Sequence, residues 1–404
     1  MYLSLSWRNI WRNKKRTLIL AASVFFAVLL AIVMRSGQLG SYAYMIHSSA
    51  KLLTGYLQVQ GKGYWENRSL DKGIHISPED IERIRKIENV TNVTPRLEAF
   101  ALISHLNHTK VGQIIGIVPE SETRMTGLRD KLIEGEYLSS DSLALLIGKG
   151  LAEVFQANIG DSLVIYGQGA YGQMAVALMP IGGIVDLPFE ILDNSLVFMV
   201  LPRAQEIFSM ENRITSLPIM IDDIRHLDHV LEDVSVIADD HWAIMTWDEM
   251  MPDLKENIEV DNVSGMIMLA ILYVVIAFGV LGTVMMMVSE RTREFGILIS
   301  VGMRKSRLIV VTFLESIFVS FLGAVAGMIA SVPIIMYLIE HPIHISGEGA
   351  KIYENMGIEP IMNFSGDPTI FVSQALVVLA IALVTTVYPY LFIRRLDPVR
   401  ALHG

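Results

Sequence analysis

Four separate apolar stretches constrain this chain more than any other feature: Thr17 to Met34, Met266 to Val288, Leu308 to Ile339 and Ile370 to Ile393. Each supplies about the 20 residues that a helix needs to cross the hydrocarbon of a bilayer. The third exceeds one span, so it must tilt, bend at Pro333 or project beyond the lipid. A content of 52% hydrophobic and only 18% charged residues, with mean hydropathy +0.45, agrees with a membrane protein. The first stretch is too long for the about 7 to 15 residues of a cleaved signal's apolar region and precedes no clear A-x-A site, so it reads as an uncleaved anchor.

Lys and Arg set the expected orientation, because short basic flanks stay on the cytoplasmic side. Arg8, Arg12, Lys14, Lys15 and Arg16 precede the first span; Arg291, Arg293, Arg304, Lys305 and Arg307 lie between the second and third; Arg394, Arg395 and Arg400 follow the fourth. The segment from Glu340 to Thr369 instead carries Glu340, Glu348, Glu354, Glu359 and Asp367 against Lys351 alone. Both termini are therefore expected in the cytoplasm, and the region from Arg35 to Ser264 outside. That region holds 18 basic and 33 acidic residues, which disfavours nucleic-acid binding and suits a solvated surface. With no Cys, disulfides, thiolate metal sites and Cys nucleophiles are excluded.

The outer region changes to short alternating runs. YLQVQ (Tyr56 to Gln60) begins them, and strands are predicted at Val93 to His105, Val111 to Val118, Ala144 to Ile147, Ser162 to Tyr166, Ala175 to Val185, Leu196 to Val200 and Leu217 to Ile221. In SPEDIERIRKI, Ser77 caps a helix, Pro78 suits its first position, and Ile81, Ile84 and Ile87 form a stripe. Further helices are predicted at Gly150 to Gln156, Ala204 to Met210 and Ile224 to Val234. The expected fold is an α-helical membrane protein with four transmembrane helices and a large extracytoplasmic α+β domain inserted between helices 1 and 2. Its segments run 1–16 (amphipathic helix), 17–54 (span and outward stalk), 55–247 (outer domain), 248–288 (stalk and span), 289–307 (cytoplasmic helix), 308–339 (span), 340–369 (outer loop), 370–393 (span) and 394–404 (tail). Helix-compatible sequence from Gln38 to Leu53, and from Asp248 onward apart from Pro252, suggests stalks that relay motion.

SERTREFGILISVGMRKSRL (Ser289 to Leu308) is compact, charged and amphipathic. Phe295, Leu298, Ile299 and Met303 fall on one stripe, Arg291, Arg293 and Glu294 cluster in the first turn, and Gly302 can end the helix. So short a helix needs a surface to cover its apolar face, either anionic lipid or a groove on a soluble partner.

Five stretches carry a resemblance. LSWRNIWRNKKRTLIL (Leu5 to Leu20), LLTGYLQVQGKGYW (Leu52 to Trp65), LIGKGLAEVFQANIGDSLVI (Leu146 to Ile165), the Ser289 to Leu308 segment and LDPVRAL (Leu396 to Leu402) resemble, in order, stretches of the lipoprotein-releasing and macrolide-exporter class of ABC transporter permeases, to which the cell-division permease also belongs. The resemblance implies that the short segment is a coupling helix docking on an ATPase, with Glu290, Arg291, Arg293 and Glu294 as polar contacts and Phe295, Leu298, Ile299 and Met303 as apolar ones. No G-x-x-x-x-G-K-[ST] loop is present, so ATP and Mg are expected in partner ATPase subunits, two copies, acting with a second permease chain, identical or homologous. This chain would hold no cofactor and no catalytic residue; no H-E-x-x-H or G-x-S-x-G pattern occurs.

The resemblance further implies inner-membrane localisation, a periplasmic domain moved by mechanotransmission, and, in the lipoprotein-releasing branch, cargo entering sideways from the outer leaflet between the first and second spans. Phe26, Leu30, Met34, Met266, Leu269 and Tyr273 lie at the outer ends of those spans; lipid-facing or interhelical packing is the alternative for each. Length favours this branch over fused exporters and over the smaller cell-division permeases. Branch members that hand cargo to a soluble periplasmic carrier use an extended hook, whereas YGQGAYGQM (Tyr166 to Met174) reads as a short Gly-rich turn, leaving Tyr166, Gln168, Tyr171 and Gln173 as candidate contacts. Export of peptides or small amphiphiles with an adaptor, and regulation of an outside enzyme without transport, are the other readings.

Three features have simpler readings. Gly323 and Gly327 form a GxxxG suited to close helix packing. Glu315, ionisable within an apolar run, is either functional or paired with a base such as Arg304. The pairs His105/His108, His226/His229 and His341/His344 have metal-like spacing but no third ligand, so no metal is expected.

Overall fold

The computed structural model describes residues 14–188, 190–348, 350, 353 and 359–397. The amphipathic segment with Trp7, Arg8, Trp11 and Arg12, and all of LDPVRAL after Asp397, lie outside the described residues. The described residues form two units. One contains those up to Tyr42, Asn257–His344 and those from Ile361; the other contains Ala43–Glu256 and those of Ile345–Pro360.

Four apolar helices are long enough to span a bilayer, and the α+β domain is inserted between the first and second. The first helix runs Lys14–Ser49, followed by a wider turn over Ala50–Thr54. Gly55 ends it at φ 73°, where a side chain would meet the backbone of Ile219 at 2.8 Å. The second, Pro252–Glu290, begins at the proline that interrupts the expected helix from Asp248; a separate turn, Trp247–Met250, precedes it. Proline fits there because a first-turn N–H has no intrahelical acceptor. The third runs Lys305–Glu340 with Pro333 inside it.

One expected span is divided. Pro368–Thr385 and Val387–Arg395 are separate helices broken at Thr386. Pro389 lacks the N–H that would bond to the Thr385 carbonyl, so the ladder cannot continue through this turn.

Within the membrane unit, Leu20, Val24, Ala27, Val28 and Ala31 recur at helical spacing and pack with Val280 and Val284 of the second helix, Val319 and Ala324 of the third, and Val378 and Ala382. The GxxxG is a close-packing seam: a Cβ on Gly323 would approach the Ala21 carbonyl to 2.6 Å, and one on Gly327 the Phe25 carbonyl to 2.7 Å. Polar ties join the same unit. Arg35 donates to Asn262 at 3.1 Å, Tyr42 to Asp261 at 2.6 Å, and Ser36 to the Ser365 carbonyl at 2.6 Å.

The inserted domain is built on one eleven-stranded mixed sheet. Its strands are β1 (Leu57–Gly61), β2 (Val90–Val93), β3 (Arg96–His105), β4 (His108–Ile117), β5 (Leu132–Gly135), β6 (Leu145–Gly148), β7 (Ser162–Gln168), β8 (Met174–Val185), β9 (Leu196–Val200), β10 (Ser216–Ile221) and β11 (Trp242–Thr246). The spatial order is β11-β1-β10-β3-β4-β9-β6-β8-β5, with β2 also on β10, and β7 bridging β3 and β8. The pairs β4/β9 and β6/β8 are parallel; the others are antiparallel. Strands β1, β9 and β10 are buried along their whole length, whereas β7 alternates, with Leu163 and Ile165 inward and Val164 and Tyr166 outward.

The single strand expected over Val93 to His105 is two, separated at Thr94 and Pro95, because proline has no N–H to donate to the ladder. Strands β5 and β11 were not expected from sequence; the first is short and polar-edged, and the second lies immediately before a turn. Helices occupy Pro78–Arg85, Lys149–Phe155, Leu201–Ile207 and Leu227–Ile237. Ser77 accepts from the Asp80 N–H at 3.1 Å, and Ile84 is wholly buried, while Ile87 falls beyond the helix end. The helix expected from Ala204 starts earlier, at Leu201, with Pro202 in its first turn.

Candidate functional site

The candidate site is the short helix between the second and third spans, Thr292–Ser300. It ends as its sequence requires. Gly302 adopts φ 105°, its N–H bonds to the Ile299 carbonyl at 3.0 Å, and the Met303 N–H returns to the Leu298 carbonyl at 3.0 Å. The third span starts at once with Lys305, whose ammonium donates to the carbonyls of Arg394 at 3.2 Å and Leu396 at 2.7 Å. These are the terminal carbonyls of the last helix, which gain no intrahelical donor.

The structure divides the eight residues expected to meet a partner. Phe295 is fully buried, and Ile299 and Met303 pack half-buried on the same core. Arg291 is also buried, contrary to its expected place on a polar outer surface. Its guanidinium donates to Glu315 of the third span, reaches Glu294 at 3.4 Å, and lies 5.2 Å from the centroid of the Phe295 ring. Glu315 thus pairs with Arg291, and the expected alternative pair with Arg304 is replaced; Arg304 is exposed. The physical reason is burial: a carboxylate inside an apolar bundle needs the nearest buried cation, and Arg291 enters from the helix foot.

What faces outward is a second apolar set. Ile297, Leu298 and Val301 are 47%, 38% and 84% exposed, with Glu290 and Arg293 exposed beside them. Only Leu298 of this trio belongs to the expected stripe. The helix therefore has two apolar faces, one bound to its own chain and one open. Next to it lies a cleft of about 830 Å³ whose walls include Glu290, Arg293, Tyr388, Phe392 and Arg395.

The residues expected along a cargo path also separate. Phe26, Leu30 and Met266 are exposed, and Met34 is half-buried. Leu269 is buried, and Tyr273 donates to Gln374 of the helix Pro368–Thr385, so these two are interhelical packing residues in this conformation. Side chains of the first and second spans meet on the side of these positions nearer the short helix, where the Ser23 and Thr283 hydroxyls lie 3.4 Å apart.

In the inserted domain, Tyr166, Gln168, Tyr171 and Gln173 are all exposed around the tight turn joining β7 and β8. Tyr171 has φ 56° there; Arg213 donates to its hydroxyl at 2.6 Å, and Ser209 donates to Gln173 at 3.0 Å. The three His pairs do not converge: His105 faces His108 across the β3/β4 hairpin, while His226 and His229 lie near one helix start. Among the described residues no group of three or more His, Asp or Glu side chains is arranged to hold a metal.

Sequence reasoning missed a deeply buried ion pair of this domain. Arg96 and Glu122 are 3% and 1% exposed, with Arg96 Nε and Nη2 donating to the two carboxylate oxygens at 3.0 and 2.6 Å. Burial alone would push the guanidinium pKa down; the adjacent Glu122 carboxylate outweighs it and holds Arg96 above its ordinary value.

Comparison with known proteins agrees with this architecture. The model of the MacB-like periplasmic core domain matches residues 17–237, and that of the FtsX-like permease C-terminal matches residues 266–398. The lipoprotein-releasing system transmembrane protein LolC of Xylella fastidiosa is 24% identical over 78% of this chain and 78% of its own length. LolC of Neisseria meningitidis is 22% identical over 61% of each. The macrolide export ATP-binding/permease protein MacB of Campylobacter jejuni is 20% identical over 82% of this chain but only 53% of its own. Among solved structures, the periplasmic region of MacB from Actinobacillus actinomycetemcomitans is 18% identical, covering 50% of this chain and 92% of that one, at a TM-score of 0.35. The match to the periplasmic core extends over more than half of the chain, and the permease match covers the last three spans. The chain belongs to the family of FtsX-like ABC permeases with a MacB-like periplasmic core, as an inner-membrane protein whose periplasmic domain is inserted between its first and second spans.

Proposed function

We propose that this chain is a non-catalytic permease half that uses ATP hydrolysed, with Mg, by a separate subunit to drive its periplasmic domain. The reading is carried by one observation: Thr292–Ser300 is held to its own chain on one side by Phe295 and the Arg291–Glu315 pair, yet keeps Ile297, Leu298 and Val301 exposed on the other. A helix fixed on one face and apolar on the other suits a groove in a soluble protein. Glu290 and Arg293 are the polar contacts beside it. A functional transporter has two such halves and two ATPase copies, and both termini lie in the cytoplasm with the docking helix.

Similarity to LolC over most of both chains supports lipoproteins as cargo, released from the outer leaflet of the inner membrane. Exposed Phe26, Leu30 and Met266 offer the acyl-facing surface in this reading. Similarity to MacB over 82% of the chain favours a second reading, export of peptides or small amphiphiles with an adaptor.

The test is co-expression with the neighbouring genes, purification in mild detergent and measurement of ATP turnover by the assembled complex. Expected is co-purification of an ATPase whose turnover falls with Leu298→Asp and Val301→Asp, and recovery of acylated polypeptide in the bound fraction. Recovery of an adaptor protein without acylated polypeptide would replace the first cargo reading by the second. Unchanged turnover in both variants would overturn the docking assignment.

A further inference from the structure

We propose that the periplasmic domain contains a binding site for a single hydrocarbon chain, the tail of an amphiphile. The site is a cavity of about 300 Å³. Leu128, Leu196 and Phe198, each 5% exposed or less, form its closed end; Trp65, Phe100 and Leu192 stand at its mouth. Apolar cavities of about 150 Å³ already stay dry and take up benzene. This one is twice that size, at the lower bound of small-ligand pockets.

The wall is mostly apolar. Its charged side chains satisfy one another: Arg96 grips both oxygens of Glu122 and donates to the Leu53 carbonyl at 2.7 Å, while Glu98 accepts from Ser216 at 2.8 Å and from Arg68 at 3.3 Å. Among the described residues, the buried side-chain polar atoms lacking a partner are Arg85 Nε, Arg203 Nε and Ser316 Oγ, and none of these lines the cavity. Apart from these charges, the amides of Gln58 and Gln113 and the hydroxyls of Thr54 and Thr126, the wall is apolar and offers an alkyl chain its contacts.

The mouth gives the guest a direction. Phe100 also lines a second cleft, of about 420 Å³, shared with Leu102, Val111, Tyr166 and Met174 on the exposed face of the sheet. Strand register places Val111, Leu102, Tyr166 and Val176 side by side across β4, β3, β7 and β8, all four exposed. Such an apolar row is unusual on a solvated surface and extends the track for a chain longer than the cavity. Of the four charged side chains on the cavity wall, Arg68 is the most accessible, 33% exposed and 3.7 Å above the Trp65 ring. Its guanidinium is nevertheless shared with Glu98, and the two arginines and two glutamates of the wall leave the lining neutral overall.

This site does not involve the docking helix, so its test needs no ATPase, and its failure leaves the transporter reading standing. Three probes carry the same tail with a terminal diazirine: a free fatty acid, a phosphatidylglycerol and an N-acylated peptide. Each is photolysed with the full chain in nanodiscs, and labelled residues are mapped by mass spectrometry. Expected is saturable labelling at Leu128, Leu196 or Phe198 by at least one probe, competed by its unlabelled form; the probe that labels identifies the source of the chain. Leu192→Trp, at the half-exposed mouth, should cut that labelling by about tenfold or more. Leu196→Phe, filling the closed end, should do the same, and intact circular dichroism of either variant separates occlusion from unfolding. Labelling confined to the spans with all three probes, or cavity labelling unchanged in both variants, would overturn the proposal.

Discussion

Arg291, at the foot of the second span, places its guanidinium on the Glu315 carboxylate of the third, and each side chain is only 7% exposed. One contact thereby fixes the docking helix to a membrane helix and satisfies the ionisable group inside the apolar run. Breaking a buried pair costs up to about 3–5 kcal/mol, and the loss is tempered in Glu315→Ala because Arg291 keeps Glu294 at 3.4 Å. Arg291→Ala and Glu315→Ala should each lower the melting temperature in detergent markedly. The reversed pair, Arg291→Glu with Glu315→Arg, should recover part of that loss. Equal melting of the single variants and the parent would show that the pair contributes nothing.

The two faces of Thr292–Ser300 predict opposite phenotypes. Phe295→Ala empties a fully buried site and should cost about 3–5 kcal/mol of stability. Val301→Asp alters a side chain that is 84% exposed and should change stability by less than about 0.5 kcal/mol, while lowering ATP turnover of the assembled complex. Thermal melts and phosphate release on the same two variants check this directly. A stability loss in Val301→Asp as large as in Phe295→Ala would mean that the outer face is already covered.

The glycine seam predicts intolerance of bulk. Gly323→Leu and Gly327→Leu force the third span off the carbonyls of Ala21 and Phe25, costing at least about 1–3 kcal/mol. Gly279→Leu, at a position with open space around it, should be neutral by comparison. Detergent melting curves of the three variants distinguish a packing seam from a general dislike of large residues.

For the periplasmic domain, Arg96→Met strands the Glu122 carboxylate in the interior and should destabilise by about 3–5 kcal/mol. Adding Glu122→Leu removes the stranded charge and should restore most of that loss. Denaturant titration followed by tryptophan fluorescence provides the comparison.

Tyr56 predicts an alkaline limit. Burial, with the Asp223 charge adding to it, pushes its hydroxyl pKa up to about 12, so the folded state holds its proton after the unfolded chain, near pKa 10, has released it. Its stabilising contribution is complete below pH 10 and is lost as pH rises from about 10 to about 12. Stability measured across that window should fall less steeply in Tyr56→Phe than in the parent.

Much of this organisation was legible in the chain because its signals are local. A run of apolar residues needs only its own length to specify a span, and Gly302 needs only its missing Cβ to end the docking helix. Ser77 and Pro78 mark a helix start through groups within one turn. Alternation in β7 reports a sheet with one open face, although β5 and β11 were missed: four or five residues of modest pattern acquire strand geometry only from their neighbours.

The remaining properties depend on contacts that no local pattern encodes. By itself the sequence determined the four spans, the inserted α+β domain and the amphipathic character of Ser289 to Leu308, since hydrophobic length and periodicity act over a few turns. Tertiary structure alone decided that Phe295 and Arg291 face inward, that Ile297 and Val301 remain open, that Glu315 takes Arg291 as partner, and that Leu128, Leu196 and Phe198 surround one cavity. Burial of a charge or closure of a cavity is a property of surfaces brought together from distant positions, and only the folded arrangement fixes which ones meet.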